Sequence, residues 1–276
     1  MGSISITSVT KRFQAGDSAV TALDDVNVTV QEKEFVTLVG ASGCGKSTLL
    51  NLIAGFEMPT VGQIVVDGQS VKGPGPDRGV VFQQTALFPW LSVEDNIAFG
   101  LSLRANRGKG DRQHVVERML QRTGLSAFRN RRPAELSGGM RQRAAIASVL
   151  AINPSILLMD EPFGALDSLT RSLMQDFLLE IWEEQRKTVV LVTHDIDEAI
   201  YLADKAVVMT AHPGRIREVI EINLPRPRRY EMRSESAFIK LRDHVTAFVR
   251  TEAMKGTTPP TRPSTEERES MEHVVH

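Results

Sequence analysis

The sequence predicts an α/β fold, in which a core of parallel strands and helices is interrupted by a helical insertion. Continuous apolar runs in the second half of the chain support this prediction, because parallel strands buried on both faces lack an alternating pattern. Helical patterns separate those runs, as expected for alternating β and α elements. A glycine-rich loop near residue 40, between a strand and a helix, is the third supporting observation.

The first strands of the chain show an alternating pattern. Ile4 and Ile6, and later Val26, Val28 and Val30, alternate with polar residues, which is typical of half-buried strands. Further strands are predicted at 35–39, 63–66 and 79–82.

The predicted insertion is a mostly helical region from about Pro89 to Ala151 that contains basic loops such as 104–110. The apolar runs that follow it are predicted to be buried parallel strands, separated by two helices. The strands are 156–159, 189–192 and 206–209, and the helices are 168–186 and 195–204.

The C-terminal part of the chain changes character. The segment 224–229 is predicted to be an extended loop, and its basic residues are interpreted as solvated rather than as a lipid or nucleic-acid site. Apolar residues at helical spacing predict a terminal amphipathic helix at about 235–253 that docks on the core. These residues are Phe238, Leu241, Val245, Phe248 and Val249. Residues 256–276, rich in proline and charge, are predicted to be a disordered tail.

Composition excludes several classes of protein. The 276 residues are 41% hydrophobic, enough for a sizeable core, and 33 basic residues balance 34 acidic ones, so no nucleic-acid partner is expected. A single cysteine, Cys44, excludes an intrachain disulfide. No signal peptide is evident, and the uncharged stretch 144–159 is too short to span a bilayer. Any membrane association is therefore expected to come through a partner.

The glycine-rich loop carries the clearest chemical signal. It fits the pattern G-x-x-x-x-G-K-[ST] of a phosphate-binding P-loop, between an apolar strand and a helix. Its residues are Gly40, Ala41, Ser42, Gly43, Cys44, Gly45, Lys46, Ser47 and Thr48. The glycines let backbone N–H groups converge on a phosphate, and Lys46 can reach the β- and γ-phosphates. The hydroxyl of Ser47 can ligate Mg²⁺, and Cys44 is interpreted as a loop-filling residue.

Two carboxylates end the strand at 156–159. In a P-loop fold the first, Asp160, is placed to hold Mg²⁺, and the second, Glu161, can take a proton from an attacking water. Neighbouring residues of a strand point to opposite faces, so both can face a nucleotide only if the chain turns at Glu161. Pro162 is consistent with such a turn.

A second helix start also favours anion binding. Ser137 is a predicted N-cap, and Gly138 and Gly139 would expose backbone N–H groups at the start of the following helix.

Taken together, these motifs resemble the ATP-binding subunits of ABC transporters over about residues 3–225. The segments 40–48, 136–140, 156–162 and 191–195 stand in the order found in that family. The resemblance implies a P-loop NTPase with a RecA-like parallel-sheet core, an antiparallel β edge and an inserted α-helical subdomain. It divides the chain into an ATPase domain at 1–255, followed by the tail at 256–276. Within that domain the core is 1–88 and 154–225, the helical subdomain is about 89–153, and the C-terminal helix is about 235–253.

The resemblance also implies individual roles. Gln83 would be the Q-loop glutamine and a ligand of Mg²⁺. His194 would contact the γ-phosphate and orient the attacking water. Phe13 would stack on adenine, and Asp167 would belong to the D-loop near the nucleotide. Two copies would sandwich two ATP molecules, each between one subunit's P-loop and the other's 137–139 segment. Lys46, Gln83, Glu161 and His194 would form the catalytic set, and Ser47, Gln83 and Asp160 the metal set.

A narrower resemblance, to nitrate, sulfonate and taurine importers, concerns segments 73–83, 86–91, 161–167 and 211–215. It implies import of a small anion, with ATP and Mg²⁺ as cofactors. The chain would sit on the cytoplasmic face of a bacterial inner membrane, bound to transmembrane permease subunits through Phe88, Pro89 and Trp90. A second ATPase copy and, indirectly, an extracytoplasmic solute-binding protein would complete the transporter.

One departure from the family pattern concerns Met140, which stands where the signature usually has glutamine. Methionine lacks the amide that could donate a hydrogen bond to a nucleotide.

Two other functions compete with the transporter. One is a soluble ABC ATPase of DNA repair, translation or cofactor assembly, and the other is a small-molecule kinase with a P-loop. The sequence shows neither the tandem ATPase domain nor the basic face that would support a soluble ABC ATPase. The signature at 136–140 weighs against a small-molecule kinase.

Overall fold

The computed structural model describes residues 2–16, 18–103 and 111–256. Its strands are β1 Ile4–Ala15, β2 Ser18–Val30, β3 Phe35–Val39, β4 Val61–Val66, β5 Gln69–Ser70, β6 Arg78–Val81, β7 Ile156–Asp160, β8 Thr188–Val192, β9 Lys205–Met209 and β10 Ile216–Glu221. Its α-helices are α1 Lys46–Ala54, α2 Val93–Ser102, α3 Arg112–Arg122, α4 Gly138–Ala151, α5 Ser168–Gln185, α6 Ile196–Leu202 and α7 Ser236–Gly256. Short 3₁₀ helices are Ser126–Phe128, Pro133–Glu135 and Tyr230–Ser234.

A six-stranded sheet in the order β10–β9–β3–β8–β7–β6 forms the centre of the fold. The pairs β3–β9, β3–β8, β8–β7 and β7–β6 are parallel, and β10 alone adds an antiparallel edge. The loops that follow β3, β8, β7 and β6 therefore leave the same edge of the sheet side by side. This confirms the predicted α/β fold with an antiparallel edge.

The parallel strands are buried on both faces, and their residues alternate between two hydrophobic clusters. In β7, Leu157 and Met159 join one cluster, whereas Ile156 and Leu158 join the other. All four side chains are at most 1% exposed. The continuous apolar runs in the sequence follow from this burial, since neither face can accept polar side chains.

A second, antiparallel sheet in the order β2–β1–β4–β5 covers one face of the central sheet. Helix α1 shares the hydrophobic cluster formed between them: its residues Leu49, Leu50 and Ile53 lie with Ile6 and Leu158. The long β1–β2 hairpin also contacts the segment beyond β9, where Leu23 forms a bridge with Gly214.

Helices α2, α3 and α4 form the helical insertion, on the other face of the central sheet. Val93, Ile97, Leu120 and Ile146 lie in the same hydrophobic cluster as Met159 of β7. The apolar contacts are thus continuous from the insertion to the sheet. The predicted basic loop at 104–110 lies outside the described residues.

The C-terminal segment corrects one interpretation of the sequence. Arg226 and Arg228 are not solvated: Arg228 is 7% exposed, and burial lowers its pKa to about 10. Arg226 donates to Asp204 at 2.8 Å and lies 4.0 Å from the ring centroid of Trp182. The chain folds these basic residues inward because Asp204 and backbone carbonyls accept their hydrogen bonds.

Helix α7 follows, with Phe238 and Val245 fully buried against the core. It includes Gly256, which the sequence had assigned to the tail, and residues 257–276 lie outside the described residues. Strand β10 was not predicted. Its exposed Val219 and charged neighbours hide the strand pattern, as on many edge strands.

Among the described residues, no helix combines the length and apolar character needed to cross a membrane.

Helix α5 offers a matched test of the core. Leu178 is 1% exposed, whereas Leu173, five residues earlier, is 61% exposed. Leu178→Ala is expected to lower the free energy of unfolding by about 3 kcal/mol, because it removes buried methyl groups and leaves a cavity. Leu173→Ala should change it by less than about 0.5 kcal/mol. Urea unfolding followed by circular dichroism measures both, and equal losses would contradict the assigned burial.

Candidate functional site

The P-loop connects β3 to α1, at the edge of the sheet where the parallel strands end. Lys46 opens α1 and is only 6% exposed. Its ammonium donates to the carbonyl oxygens of Gly40 at 2.9 Å and Ala41 at 3.0 Å, and lies 3.7 Å from the Sγ of Cys44. The loop therefore curls around the lysine, with two of its carbonyl oxygens directed at the ammonium. Burial raises the pKa of the Cys44 thiol, which suits a loop-filling role rather than a nucleophile.

Neighbouring segments fix the shape of this loop. Gly45 has φ of 93°, and a Cβ added there would lie 2.6 Å from Leu23 of β2. Gly214 packs against the same loop, since a Cβ added there would lie 2.1 Å from the carbonyl oxygen of Cys44 and 3.0 Å from Leu23. Contacts this close require glycine at both positions. The sequence motif identifies Gly45, but the role of Gly214 depends on the tertiary fold.

Ser47 and Asp160 form the first polar pair of the site. The hydroxyl of Ser47 donates to Oδ1 of Asp160 at 3.1 Å, although 113 residues separate the two in sequence. Burial raises the pKa of Asp160; the charge of Glu161 adds to this, while the Ser47 hydrogen bond and Lys46 oppose it. Two oxygen atoms of the kind that ligate hard cations, one hydroxyl and one carboxylate, thus lie together where α1 begins.

The chain turns at Glu161, as the adjacent carboxylates required. Its φ of 44° is in the left-handed region, which costs a non-glycine residue about 1–3 kcal/mol. The backbone N–H of Glu161 donates to Val192 at 2.9 Å, and its carbonyl accepts from Gly164 at 3.2 Å. These bonds hold a conformation that turns the two carboxylates toward different partners.

Oε2 of Glu161 is the meeting point of the second polar cluster. It accepts a hydrogen bond from Nε2 of Gln83 at 3.1 Å and lies 3.2 Å from Nδ1 of His194. Both partners lie on Oε2, which leaves Oε1 as the oxygen that can accept a proton without breaking either contact.

The structure therefore gathers Lys46, Ser47, Gln83, Asp160, Glu161 and His194 at one edge of the sheet. A cavity beside Glu161 is lined by further residues that the sequence did not single out, among them Arg171 and Glu198. No sequence motif identifies either residue. Arg171 is an ordinary polar residue of α5, and Glu198 is one of α6.

The remaining predicted residues lie on other elements. Ser137 is the N-cap of α4 and accepts from the backbone N–H of Met140 at 3.2 Å. Gly138 follows on an exposed surface, and a Cβ added at Gly139 would lie 3.2 Å from Leu166. The side chain of Met140 packs against the main hydrophobic cluster. An apolar residue suits that position, since it contributes to the core rather than to the exposed loop.

Asp167 and Phe13 have local partners as well. Asp167 is the N-cap of α5 and accepts from Thr170 at 3.0 Å, and this hydrogen bond lowers the pKa of its carboxyl. Phe13 lies on β1, 38% exposed, with the ammonium of Lys11 4.8 Å from its ring centroid. It shares its hairpin with Leu23, which contacts the P-loop.

This geometry is suited to phosphoryl transfer to water. A glycine loop with a buried lysine can bind phosphates, a hydroxyl–carboxylate pair can hold a divalent cation, and a carboxylate with two oriented partners can act as a general base.

Comparison with known proteins points to the same chemistry. The model of the ABC transporter family matches residues 23–164. The chain is 47% identical over 252 residues to an uncharacterized ABC transporter ATP-binding protein of Methanocaldococcus jannaschii, covering 91% of this chain and 93% of that protein. It is 50% identical over 225 residues to the nitrate import ATP-binding protein NrtD of Synechococcus elongatus, covering 81% and 82% of the two chains.

A solved structure is similar too. It is a dimeric post-hydrolysis state of an ATP-binding cassette bound to ADP and inorganic phosphate, with a TM-score of 0.72 and 34% identity. The match covers 80% of this chain and all of that one.

Gly45 provides a test of the P-loop packing. Gly45→Ala is expected to lower the free energy of unfolding by about 2 kcal/mol more than Gly68→Ala, since both positions have positive φ but only Gly45 meets a neighbour. Gly68, with open space around it, isolates the cost of the backbone conformation. Chemical denaturation of the two variants measures the difference, and equal losses would contradict the contact with Leu23.

Proposed function

The chain belongs to the ABC transporter family, and we propose that it is the ATPase subunit of an importer for a small inorganic anion. As a member of this family it binds ATP and hydrolyses it. The observation that carries the proposal is the convergence of Gln83 and His194 on Glu161, next to the Ser47–Asp160 pair and the P-loop.

Lys46 and the start of α1 would bind the phosphates of ATP. The ammonium already lies among the loop carbonyls, 6% exposed, so its charge is held at the centre of the loop. Backbone N–H groups of the loop and the N-terminus of α1 add partial positive charge there. Residues 40–48 therefore form the proposed phosphate site.

Ser47 and Asp160 would hold Mg²⁺. The ion takes oxygen ligands and commonly uses one or two protein groups together with phosphates and water, which fits a hydroxyl 3.1 Å from a carboxylate. Within the described part of the chain, no group of three or more His, Cys, Asp or Glu could hold a metal by itself. When bound, Mg²⁺ would neutralise charge on the phosphates. Gln83 can add its carbonyl oxygen, since its hydrogen bond to Glu161 uses the amide nitrogen.

Glu161 would be the general base of hydrolysis. Its Oε1 would accept a proton from the attacking water, while Gln83 and His194 hold the carboxylate through Oε2. His194 would orient its other nitrogen, Nε2, toward the γ-phosphate. Lys46 would stabilise charge on the transferred group.

A second copy of the chain would complete each nucleotide site. Ser137, Gly138 and Gly139 start a helix on an exposed surface, which suits contact with a phosphate held by another subunit. Asp167 would lie close to the same contact between the two subunits. The side chain of Met140 packs against the core, so this arrangement does not require Met140 to contact the nucleotide. Phe13, exposed on the β1–β2 hairpin, would stack on adenine.

An aromatic cluster would bind the permease subunits. Phe88 lies 5.5 Å from Trp90 and 4.4 Å from Phe99 between ring centroids, and Trp90 is 67% exposed. The buried amide of Asn96 bonds both the N–H and the carbonyl of Phe88, at 2.8 and 3.2 Å. Pro89, which lies between Phe88 and Trp90 in sequence, is exposed as well. An exposed aromatic surface with these contacts is suited to binding a helix of a partner protein.

The relatives support the choice of solute. NrtD is named for nitrate import, and two others are a nitrate transport protein of Klebsiella oxytoca and a bicarbonate transport protein of Synechococcus elongatus. We therefore propose import of nitrate or a similar anion, delivered by an extracytoplasmic binding protein. The chain would lie on the cytoplasmic face of the membrane, with a RecA-like core at 1–88 and 154–225 and a helical subdomain at 89–153.

Glu161→Gln tests the catalytic assignment. Turnover of ATP is expected to fall about 100-fold or more, because an amide cannot accept the proton. ATP binding should persist, so that light scattering detects a dimer that forms with Mg-ATP and remains. Glu221→Gln, on the edge strand β10, is the matched control and should hydrolyse normally. Unchanged turnover, or loss of ATP binding, would contradict the role of Glu161.

Trp90→Ala tests the permease contact and the solute together. Uptake of labelled nitrate by cells producing this variant is expected to fall about tenfold or more, since exposed aromatic anchors dominate interfaces. The ATP-dependent dimer of the purified variant should be unchanged. Phe128→Ala, which alters another exposed aromatic residue of the insertion, serves as the control. Loss of sulfonate uptake in place of nitrate uptake would correct the solute, and normal uptake of both would contradict the contact.

A further inference from the structure

A row of polar side chains connects the C-terminal segment to the turn that carries His194. Nη2 of Arg233 donates to Oε1 of Gln175 at 2.6 Å, and Nε2 of the same amide donates to Oε1 of Glu198 at 2.9 Å. Gln175 is 2% exposed and Glu198 is 4% exposed. Arg233 belongs to the 3₁₀ helix Tyr230–Ser234, so three distant segments meet in this row.

Glu198 ends the row at the wall of the catalytic cavity. It lines that cavity together with Glu161 and His194. Burial raises the pKa of its carboxyl, while hydrogen bonds from Thr193 and Gln175 act in the opposite direction. A carboxylate in such a place is costly unless it is fully bonded, and apolar side chains would fill the same space at lower cost. A requirement for stability alone therefore does not account for the polar row.

The position of Glu198 bears directly on His194. The Glu198 carboxyl accepts a hydrogen bond from the side chain of Thr193, which precedes His194. The hydroxyl of Thr193 in turn accepts from the N–H of Asp195 at 3.0 Å, and Oδ1 of Asp195 accepts from the backbone N–H of Glu198 at 3.1 Å. These bonds fix the residues on either side of His194, whose own side chain is 64% exposed. The backbone turn, more than packing of the ring, thus sets where the imidazole lies.

Arg171 supports the turn from the other side. Its Nη1 lies 3.5 Å from Oδ2 of Asp195, and its Nη2 donates to the carbonyl of Leu166 at 3.1 Å. The turn is therefore held between the loop that follows β7 and the row that begins at Arg233.

At its outer end the row is held by aromatic rings. The guanidinium of Arg233 lies 4.2 Å from the ring centroid of Tyr201 and 5.2 Å from that of Tyr230. Tyr201 is buried and donates its hydroxyl to Asp176 at 2.7 Å. Ring stacking and the hydrogen bond to Gln175 thus hold the guanidinium of Arg233 in one orientation. Arg233 itself is anchored on the short 3₁₀ helix that leads into α7.

We propose that Glu198 is a positioning residue for hydrolysis, which holds the His194 turn in register with Glu161 and is itself held by Gln175 and Arg233. The inference rests on the proposed function, because it assigns His194 a place beside the reacting phosphate. It adds that the segment 230–234, remote from the P-loop in sequence, contributes to the rate of the chemical step. Glu198 acts through the turn rather than by touching ATP.

The test compares Glu198→Ala, Glu198→Gln and Arg233→Ala in the full chain. Glu198→Ala and Arg233→Ala are expected to lower kcat about ten- to a hundredfold, as small misplacements of catalytic groups do. KM for ATP should stay within about twofold, since the phosphate site is untouched. Glu198→Gln keeps an acceptor for Gln175 and should restore most of kcat. Arg229→Ala, which changes the exposed arginine directly before the 3₁₀ helix, should behave as wild type.

A second readout does not depend on hydrolysis. In protein labelled with ¹⁵N-histidine, the ring signals of His194, identified by their loss in His194→Ala, are expected to shift in Arg233→Ala and not in Arg229→Ala. Should Glu198→Ala fail to fold, Arg233→Ala decides the question alone. Unchanged kcat with unchanged His194 signals would overturn the proposal. Wild-type protein without any ATP turnover would instead contradict the proposed function, and the histidine signals would then decide whether the row holds the turn.

Discussion

The left-handed backbone at Glu161 is the constraint on which the site depends. Two adjacent residues of a regular strand would direct their carboxylates to opposite faces. With φ of 44° at Glu161, Asp160 contacts Ser47 while Glu161 contacts Gln83 and His194. Hydrogen bonds from the Glu161 N–H to Val192 and from Gly164 to the Glu161 carbonyl hold the strained residue. The buried residues 156–159 of β7 support the turn, so the strain is localised at the residue that separates the contacts of the two carboxylates.

The order of strands explains why distant residues converge. Strands β3, β8, β7 and β6 are neighbours, and all four are parallel. The P-loop follows β3, His194 follows β8, the carboxylates end β7, and Gln83 follows β6. Parallel sheets bring such loops to one edge, where ligands bind in open α/β folds. The segment that follows Gln83 leads into the helical insertion between β6 and β7. The aromatic residues Phe88 and Trp90 lie on that segment.

The sequence predicted those parts of the molecule that local patterns determine. The P-loop, the buried strands and the Asp160–Glu161 pair could be recognised because spacing and apolar runs report backbone geometry directly. The burial of Arg226 and Arg228 was missed, because their acceptors on Asp204 and on backbone carbonyls come together only in the folded chain. Asn96 and Glu198 escaped notice for the same reason: each is a polar residue of an ordinary helix, and only tertiary contacts give it a task. Strand β10 was hidden by the polar side chains that suit an edge.

The enclosed position of Lys46 has a consequence for how ligands are recognised. Its ammonium leaves water when the chain folds, and the carbonyl oxygens of Gly40 and Ala41 replace the water. The desolvation of this cation therefore belongs to the free energy of folding and not to that of association. A phosphate bound at the proposed site would replace neutral acceptors with a charged one, which would strengthen each hydrogen bond without the cost of dehydrating the lysine again. Neutral ligands would have no such advantage, so such a loop would select for charge before shape.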